Sequence, residues 1–432
     1  MSARLSDLCQ AIVDCEHKTA PEGDGFALSI GTRGMKHGRL VLELCKPVSE
    51  VTYFEWTRRM IPVPGDLVLA REAPVGQVVR VPTGRRICLG QRTVLIRPDA
   101  TRVHPRFLHY WLLGPDAQGP MTAKSGGATV AHLNVEDIRN LDTSGITQDG
   151  RIQHWTASFL GAIDDLIENN VRRVRLLDDM ARTIYREWFV AFRYPGRECV
   201  PIVDSPVGWI PDGWTVQAIK AVASAERHAV TSGPFGSKLG RADYIDFGVP
   251  VLRGANLRVG GGFDESQLVF VSDDKAQELR SSVARPGDVV VTQRGTLGQV
   301  GLIPKECRYE KYVLSQSQMK VTVDPQRITP EFLYACLRSR EVTERFVAQA
   351  MTAGVPHVNL ALLRGFRIVV PPFDLQRRYT QVAKDLAGEG HRLVKESAAL
   401  ETIRDILLPR LVTGRIDVSA LDLDALAEGP VA

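Results

Sequence analysis

Two short segments carry the side chains best suited to specific chemistry. The first holds Arg71 and Glu72 in the run Ala-Arg-Glu-Ala-Pro, and the second holds Gln293, Arg294 and Thr296 in the run Thr-Gln-Arg-Gly-Thr. Such side chains match the hydrogen-bond donors and acceptors on the edges of DNA bases. The other explanation is that surface loops drift in composition. We predict DNA contacts here, and the remaining candidates are Gln77, Gln91, Arg92, Lys124, His132, Lys238, Arg253, Asn256, Gln316, Ser317 and His357.

Two histidines lie in matching tripeptides, His132-Leu-Asn134 and His357-Val-Asn359. A run with helical spacing follows Asn134, so we interpret both asparagines as helix N-caps. The histidines could contact phosphate or base from the same turns. Two lone histidines far apart in sequence are weak evidence for a metal or for catalysis.

Motifs that would make the chain an enzyme are not found in the sequence. It has no Asn-Pro-Pro-aromatic motif for base methylation, no P-loop, no zinc spacing and no nucleophile elbow. Gly260-Gly-Gly262 is a turn with no helix behind it to receive a phosphate. Arg253 and Arg258 could contact DNA phosphate, although exposed arginines are common. We predict no catalytic residue, no metal and no cofactor in this chain.

The elements that must position these residues occur twice in the chain. Pro64-Gly-Asp recurs as Pro286-Gly-Asp, and Pro105-Arg-Phe-Leu recurs as Pro330-Glu-Phe-Leu. Further matches keep the same order, with one small change of offset near Glu306. Ordered matches of this kind are hard to obtain by chance, so the sequence indicates an internal duplication.

Within each copy, strand-like runs flank the polar segment. The runs 66–70 and 77–81 in the first copy, like 288–292 and 299–303 in the second, predict a hairpin with a short glycine-containing loop. Thr329 followed by proline predicts the start of a helix. Each copy is therefore predicted to be a mixed α/β (α+β) unit with a small, strongly bent sheet.

A long apolar repeat follows each copy. A period of 3.5 residues sustained over about 35 residues is typical of a coiled coil, and Asn170 would fix its register. The economical arrangement is two antiparallel helices, a rod on the order of 50 Å with the copies at opposite ends and related by a pseudo-twofold axis. Single amphipathic helices on a globular core are the alternative. The predicted seam residues are Phe159, Ile163, Leu166, Asn170, Leu177, Met180 and Ile184 in the first helix, and Leu386, Leu393, Leu400, Ile403 and Leu407 in the second.

Composition allows several classes of protein but excludes others. The 432 residues are 44% hydrophobic and 24% charged, as in ordinary globular proteins. The net charge of +4 permits nucleic-acid binding without requiring it. The seven cysteines form no C-x-x-C pair and are interpreted as reduced thiols. No apolar run is long enough to span a membrane and no secretory signal is evident, so we expect a cytoplasmic protein with no membrane partner.

Several motifs resemble the specificity subunits of type I restriction–modification enzymes. The runs 176–189 and 400–414 are similar to the ends of that family's two spacer helices. Ser232-Gly-Pro-Phe235-Gly-Ser237-Lys238 and the run 249–256 are similar to openings of its target-recognition domains. The first copy departs from the pattern, with Val13-Asp-Cys-Glu-His-Lys-Thr-Ala-Pro21 where the Gly-Pro-Phe-Gly motif would lie.

The resemblance implies a non-catalytic subunit that binds double-stranded DNA. Each recognition domain would recognise one half of a bipartite, asymmetric target, and the helices would set the spacing and dock two methyltransferase (modification) subunits. Those subunits would bind S-adenosylmethionine and methylate adenine N6, and restriction/translocase subunits can join them. ATP, magnesium and S-adenosylmethionine are expected only in the partners. The implied domains are recognition domain 1 (1–148), spacer helix 1 (149–192), a linker (193–212), recognition domain 2 (213–372), spacer helix 2 (373–411) and a tail (412–432).

Two other functions compete with this interpretation. One is a self-contained methyltransferase or nuclease with two recognition domains, which the missing cofactor motifs disfavour. The other is a coiled-coil scaffold or repressor that binds DNA without modification partners. A methyltransferase gene beside this one would separate that possibility from ours.

Overall fold

A computed structural model describes residues 3–125, 132–197, 200–257, 263–293, 299–352 and 358–416. The chain forms two compact units, and each contains one copy of the repeat. Unit 1 consists of Met1–Asn170 and Lys395–Ala432, and unit 2 consists of Val171–Val394. Each unit therefore contains part of both long helices.

The elements follow the order of the repeat. The strands are β1 (Cys9–Asp14), β2 (Ala27–Ile30), β3 (Met35–Lys36), β4 (Arg39–Leu40), β5 (Lys46–Val48), β6 (Leu67–Ala70), β7 (Val78–Arg80), β8 (Ile87–Leu89), β9 (Thr93–Pro98), β10 (Ile202–Val203), β11 (Ile210–Pro211), β12 (Thr215–Ala218), β13 (Val230–Ser232), β14 (Val249–Leu252), β15 (Val269–Val271), β16 (Val283–Ala284), β17 (Val289–Thr292), β18 (Val300–Leu302), β19 (Tyr312–Leu314), β20 (Gln318–Val321) and β21 (Arg367–Val370). The helices are α1 (Glu50–Trp56), α2 (Pro105–Leu113), α3 (Pro115–Lys124), α4 (Val135–Arg139), α5 (Gly150–Tyr185), α6 (Ile219–Val222), α7 (Asp273–Glu278), α8 (Pro330–Arg338), α9 (Arg340–Thr352), α10 (Leu360–Gly365) and α11 (Phe373–Val412).

Strand β6 lies inside the main sheet of unit 1, which has the antiparallel order β1-β9-β6-β7. Successive side chains of a strand point to opposite faces. Leu67 and Leu69 pack with α2 and the first turns of α5, whereas Val68 and Ala70 pack against the second sheet, β5-β2-β8. Because both faces are covered, β6 is an unbroken apolar run rather than an alternating one.

Unit 2 repeats this architecture. Its main sheet has the equivalent order β13-β20-β17-β18, and its second sheet has the order β15-β14-β19-β16. Val289 and Val291 of β17 pack with α8, and Val290 packs with β14 and β19 of the second sheet. The predicted hairpins are confirmed as the antiparallel pairs β6–β7 and β17–β18. The mixed α/β fold with small sheets and two long helices is confirmed as well.

The repeated Pro-Gly-Asp motif has the same structural role in both units. Gly65 and Gly287 have φ of 95° and 91°, a backbone conformation that favours glycine. The Asp66 carboxylate accepts the Val63 N–H at 2.9 Å and pairs with Arg97 at 2.7 Å. The Asp288 carboxylate accepts the Arg285 N–H at 2.8 Å and pairs with Lys320 at 2.8 Å. The motif is retained because a buried carboxylate must be both hydrogen-bonded and paired.

A buried glutamine connects the start of each long helix to the N-terminus of an earlier helix of the same unit, α8 for α11 and α2 for α5. Gln376 Oε1 accepts the N–H of Thr329, the N-cap of α8, at 3.1 Å, and Gln376 Nε2 donates to Pro371 O at 2.9 Å. Gln153 Oε1 accepts the N–H of His104, the N-cap of α2, at 2.8 Å, and Gln153 Nε2 donates to Thr147 O at 2.7 Å. Thr329 also accepts the Phe332 N–H, which confirms the predicted helix start.

Within each unit the segments of the two long helices run antiparallel. In unit 1, Arg404 of α11 donates to Asp164 of α5 at 2.9 Å, and Leu160 shares an apolar cluster with Leu408 and Leu411. In unit 2, Arg173 donates to Glu389 at 3.0 Å, and Tyr379 Oη donates to Ala181 O at 3.4 Å. In both units, higher numbers on α5 face lower numbers on α11. The two helices therefore pair as predicted.

The predicted seam residues differ in burial. Asn170 and Leu393 are buried, and within the described part of the chain neither side-chain polar atom of Asn170 has a hydrogen-bond partner. A two-helix pair covers only part of a wide apolar stripe. The half-buried positions are Ile163, Leu177, Ile184, Leu386, Leu400 and Leu407, and the exposed positions are Phe159, Leu166, Met180 and Ile403.

The segment predicted as a linker contains a two-stranded ribbon, β10 paired with β11. Trp214, just beyond it, is buried against Phe189 and Phe192. Of the predicted tail, residues from 417 onward lie outside the described part of the chain. Among the helices that the structure describes, none combines the length and apolarity needed to cross a membrane.

Candidate nucleic-acid interface

Arg71 is the centre of a polar network in unit 1. It follows β6, is only 5% exposed, and its backbone N–H donates to Arg92 O at 2.9 Å. Nη1 donates to both carboxylate oxygens of Asp14, at 2.7 and 2.9 Å, and Nε donates to Leu133 O at 2.9 Å. Nη2 donates to His132 Nε2 at 2.9 Å. The guanidinium is thus engaged inside the protein, where it positions the other members of the network.

The tautomer of His132 follows from its two partners. Arg71 has no acceptor atom, so His132 Nε2 must accept the hydrogen bond and the ring proton lies on Nδ1. Nδ1 then donates to Glu72 Oε1 at 2.7 Å. The other Glu72 oxygen pairs with Arg92 at 3.0 Å. Three distant segments of the sequence therefore meet, with the half-exposed Arg92 and His132 side chains on the solvent side.

The loop after β1 joins the same network. His17 Nε2 lies 2.8 Å from Asp14 Oδ2, and Thr19 Oγ1 donates to Gln91 Oε1 at 2.9 Å. Five of the predicted contact residues are thereby brought together in unit 1. They are Arg71, Glu72, Gln91, Arg92 and His132.

Asp14, Cys15 and His17 have potential metal-ligand atoms within 4.8 Å of one another. Both oxygens of Asp14 already accept hydrogen bonds from Arg71 Nη1. A cation bound there would lie next to the guanidinium charge and would have to displace it. The arrangement does not fit a metal site.

Unit 2 has the same backbone frame with different side chains. Gln293, which is 3% exposed, takes the place of Arg71. Its N–H donates to Ser317 O at 2.8 Å and its carbonyl accepts the Val358 N–H at 3.2 Å, as Arg71 O accepts the Leu133 N–H at 3.1 Å. Gln293 Nε2 donates to Gln316 O. A neutral amide therefore replaces a guanidinium at one framework position.

Gln316 holds the loop that follows β13. Its Nε2 donates to Leu239 O at 3.2 Å and to Gly236 O. Gln91 has the equivalent role in unit 1, where its Nε2 lies 3.5 Å from His17 O. The two glutamines therefore support loop backbones in corresponding places.

Arg253 and Asn256 shape the turn after β14. Asn256 is buried, its Oδ1 accepts the Arg253 N–H at 2.9 Å, and its Nδ2 donates to Asp264 O at 3.0 Å. Arg253 Nη2 donates to Gln267 O at 2.8 Å. Both side chains are engaged in holding this turn.

No family model matches the sequence. The chain is 21% identical to the type I restriction enzyme MjaIX specificity subunit of Methanocaldococcus jannaschii over 380 residues, which cover 87% of this chain and 82% of that protein. It is also 21% identical to the MjaVIII specificity subunit of the same organism, over 62% of this chain and 61% of that protein. The chain is therefore similar, over most of its length, to a type I restriction enzyme specificity subunit. Among solved structures, the S subunit of a type I restriction–modification system from M. genitalium is 16% identical and has a TM-score of 0.49, covering 95% of this chain and 96% of that one.

The other predicted contact residues of this chain have varied surroundings. Lys124 pairs with Asp137 at 3.4 Å, and the exposed Lys238 has no ion pair with any described residue. Gln77 is half-buried, with a buried Oε1 that lacks a partner in the described ranges. Ser317 contributes its backbone carbonyl to the frame. Arg258, Arg294, Thr296 and His357 lie outside the described residues.

The predicted caps differ between the two units. Asn359 caps α10, since its side chain accepts the Leu362 N–H at 2.8 Å. Asn134 occupies the N-cap position of α4, as predicted, but its side chain makes no capping hydrogen bond. Asn134 is exposed, and water can satisfy the free N–H groups of such a short helix.

Asp14 is the residue of the Arg71 network that sequence reasoning missed. It ends β1 at the register position of Ser232 in unit 2, because Asp14 pairs with Val94 and Ser232 pairs with Met319. The available signal was the departure of the first copy from the Gly-Pro-Phe-Gly pattern at this point. An acidic residue that ends an apolar strand needs a partner, and Arg71, which the second copy replaces with Gln293, was a candidate.

Proposed function

We propose that this chain is the DNA sequence-specificity subunit of a type I restriction–modification complex and that each unit recognises one half of a bipartite, asymmetric target. The observation that carries this is the pair of equivalent backbone frames around Arg71 and Gln293. A constant frame with changed side chains suits two domains that bind one kind of ligand with different sequences.

Solvent-facing members of each network are the side chains that contact DNA. In unit 1 these are Arg92, 47% exposed, with His132 and His17 beside it. A fixed arginine can donate two hydrogen bonds to guanine or pair with a phosphate. In unit 2 the exposed Lys238 supplies positive charge near the loop that Gln316 holds. Buried Arg71 and Gln293 act by fixing these neighbours.

The long helices set the distance between the two half-sites and dock two methyltransferase subunits. Exposed apolar residues support this, since Phe159 and Leu166 of α5 and Ile403 of α11 remain in solvent. Trp155 stacks on Phe159 with ring centroids 5.2 Å apart and an interplanar angle of 7°. Aromatic clusters of this kind are common anchors in protein interfaces.

The subunit is not itself the catalyst in this proposal. S-adenosylmethionine binds the methyltransferase partners, and ATP and magnesium bind restriction/translocase partners when these join. The complex acts on double-stranded DNA in the cytoplasm, with no membrane partner. The charge of +4 suits a chain that shares its DNA contacts with other subunits.

Co-expression with a type I methyltransferase subunit from the same genome, followed by genome-wide mapping of methylated adenine, tests the proposal. The expected result is one bipartite, asymmetric motif with a fixed gap, absent when either protein is omitted. Methylation of a continuous motif, no new methylation, or methyl transfer by the purified chain alone would each overturn it.

A further inference from the structure

Phe235 is a large apolar side chain held in solvent, 63% exposed. It lies in the loop after β13, three residues beyond Ser232. His17 occupies the corresponding place in unit 1, three residues beyond Asp14, and its side chain is also mostly exposed. The same framework position thus presents a phenyl ring in one unit and an imidazole in the other.

The backbone around Phe235 is fixed on both sides. Gly233 N–H donates to Gln318 O at 2.8 Å. A Cβ on Gly233 would lie 1.8 Å from Ser315 O, so the backbone at Gly233 packs directly against the turn between β19 and β20. On the other side, Gln316 donates to the carbonyls of Gly236 and Leu239. A loop pinned in this way cannot fold its phenyl ring into the core, so exposure of the ring is built into the structure.

The loop also belongs to the candidate interface of unit 2. Gln316, which holds it, accepts a hydrogen bond on its backbone carbonyl from Gln293. Lys238 follows Phe235 by three residues and is exposed, with no ion pair to any described residue. An exposed phenyl ring and an exposed ammonium group in one loop match a ligand with both apolar flat surfaces and negative charge. Stacked bases flanked by phosphates provide this combination.

We propose that Phe235 is a wedge that enters the DNA at the half-site recognised by unit 2 and partly unstacks one base step, while Lys238 contacts the adjacent phosphate. A phenyl ring has no hydrogen-bonding groups, so it contributes by stacking and by favouring steps that deform at low cost. The inference rests on the proposed function. It assigns base-step unstacking to unit 2 alone, because unit 1 has the imidazole of His17 at the corresponding position.

The test uses the assembled complex with its methyltransferase and duplexes carrying its own methylated motif. 2-Aminopurine, whose fluorescence rises on unstacking, is placed at successive steps of both halves. The wild-type complex should raise the signal at one step of the unit 2 half only. Phe235→Ala should abolish that rise and weaken binding by about ten- to a hundredfold, the range for one lost aromatic–base contact. Phe235→Trp should retain both properties.

Phe247→Ala is the matched control, because Phe247 is 84% exposed in the same unit but lies outside the Gln316-held loop. It should bind and unstack DNA like the wild type, and thermal melting should show all variants equally folded.

Unchanged fluorescence and affinity for Phe235→Ala, or equal losses for Phe247→Ala, would refute the wedge while leaving a bipartite motif intact. Loss of methyltransferase binding by Phe235→Ala would assign the ring to a protein contact instead. The absence of any bipartite motif would refute the proposed function, and the wedge with it.

Discussion

Asp14 and Arg71 form a two-point ion pair across unit 1, with Nη1 of Arg71 donating to both Asp14 oxygens at 2.7 and 2.9 Å. The pair connects the end of β1 to the segment after β6. It also leaves Nη2 of Arg71 free to fix His132. Unit 2 has Ser232 and Gln293 in the same two places, so it lacks this charge pair and relies on amide hydrogen bonds.

Arg71→Ala should destabilise unit 1. Removing one partner of a buried pair costs about 3–5 kcal/mol, and the partial exposure of Asp14 favours the lower end of that range. Urea unfolding of the full chain measures the change. Asp14→Asn in the Arg71→Ala background should add little, since the pair is already lost. Arg92→Ala is the control and should cost less than about 1 kcal/mol, because the Arg92 side chain of this ion pair is half exposed. Equal costs for the two arginines would contradict the positioning role of Arg71.

Arg92→Ala should instead change recognition. Loss of an exposed arginine at the interface removes about 1–3 kcal/mol of discrimination at one base pair. Mapping methylated adenine should show relaxed sequence preference in one half of the motif and an unchanged gap. Lys238→Ala, in unit 2, should leave the sequence preference of that half intact and weaken binding with a smaller salt dependence. Relaxation of both halves by Arg92→Ala would contradict separate recognition by the two units.

Gln376→Ala should destabilise unit 2 without altering any exposed surface. The buried amide accepts from the Thr329 N–H and donates to Pro371 O, so its removal leaves backbone groups unsatisfied, at about 1–3 kcal/mol. Gln153→Ala should have a similar effect in unit 1. Gln381→Ala, at an exposed position of the same helix α11, is the control. If Gln381→Ala costs as much in urea unfolding as Gln376→Ala, the glutamine contact is not what fastens the helix.

His109 should make the stability of unit 1 depend on pH. The ring is buried and its Nε2 lies 3.2 Å from Val78 O; burial, with a smaller effect of Arg80, lowers the pKa of His109 to about 4 from 6.5. The unfolded chain therefore binds a proton below pH 6.5 that the folded chain does not bind until about pH 4. Stability is full above pH 6.5 and falls between these two values, by up to about 3 kcal/mol.

His109→Leu removes this contribution, so the stability difference between wild type and variant should shrink as the pH falls from 7 to 4. Urea unfolding across that range measures it. Leu108→Ala, a buried substitution in the same helix α2, is the control and should lower stability without changing the pH profile, because leucine does not titrate. A constant difference between wild type and His109→Leu over the range would show that His109 is protonated equally in both states.

Local patterns in the sequence were sufficient for the elements and for their duplication. The hairpins β6–β7 and β17–β18, the helix start at Thr329 and the two long helices depend on turn residues, capping and apolar period, which act over a few positions. The duplication needed only the order of matches such as Asp66 and Asp288. The resemblance to type I specificity subunits followed from motifs that lie within single segments.

Tertiary structure alone decided which polar residues face the solvent. Arg71 and Gln293 stood in predicted loop tips, yet both are buried, since their segments lie between the ends of neighbouring strands. The partner of Arg71, Asp14, lies far away in sequence and reaches it only because β1 and β6 pair with opposite edges of β9. The two-residue alternation along a strand determines which face of the sheet a side chain occupies. Its hydrogen-bond partners depend instead on the order of the strands in the sheet. For that reason the repeat could be predicted from the sequence, while the side chains left to contact DNA could not.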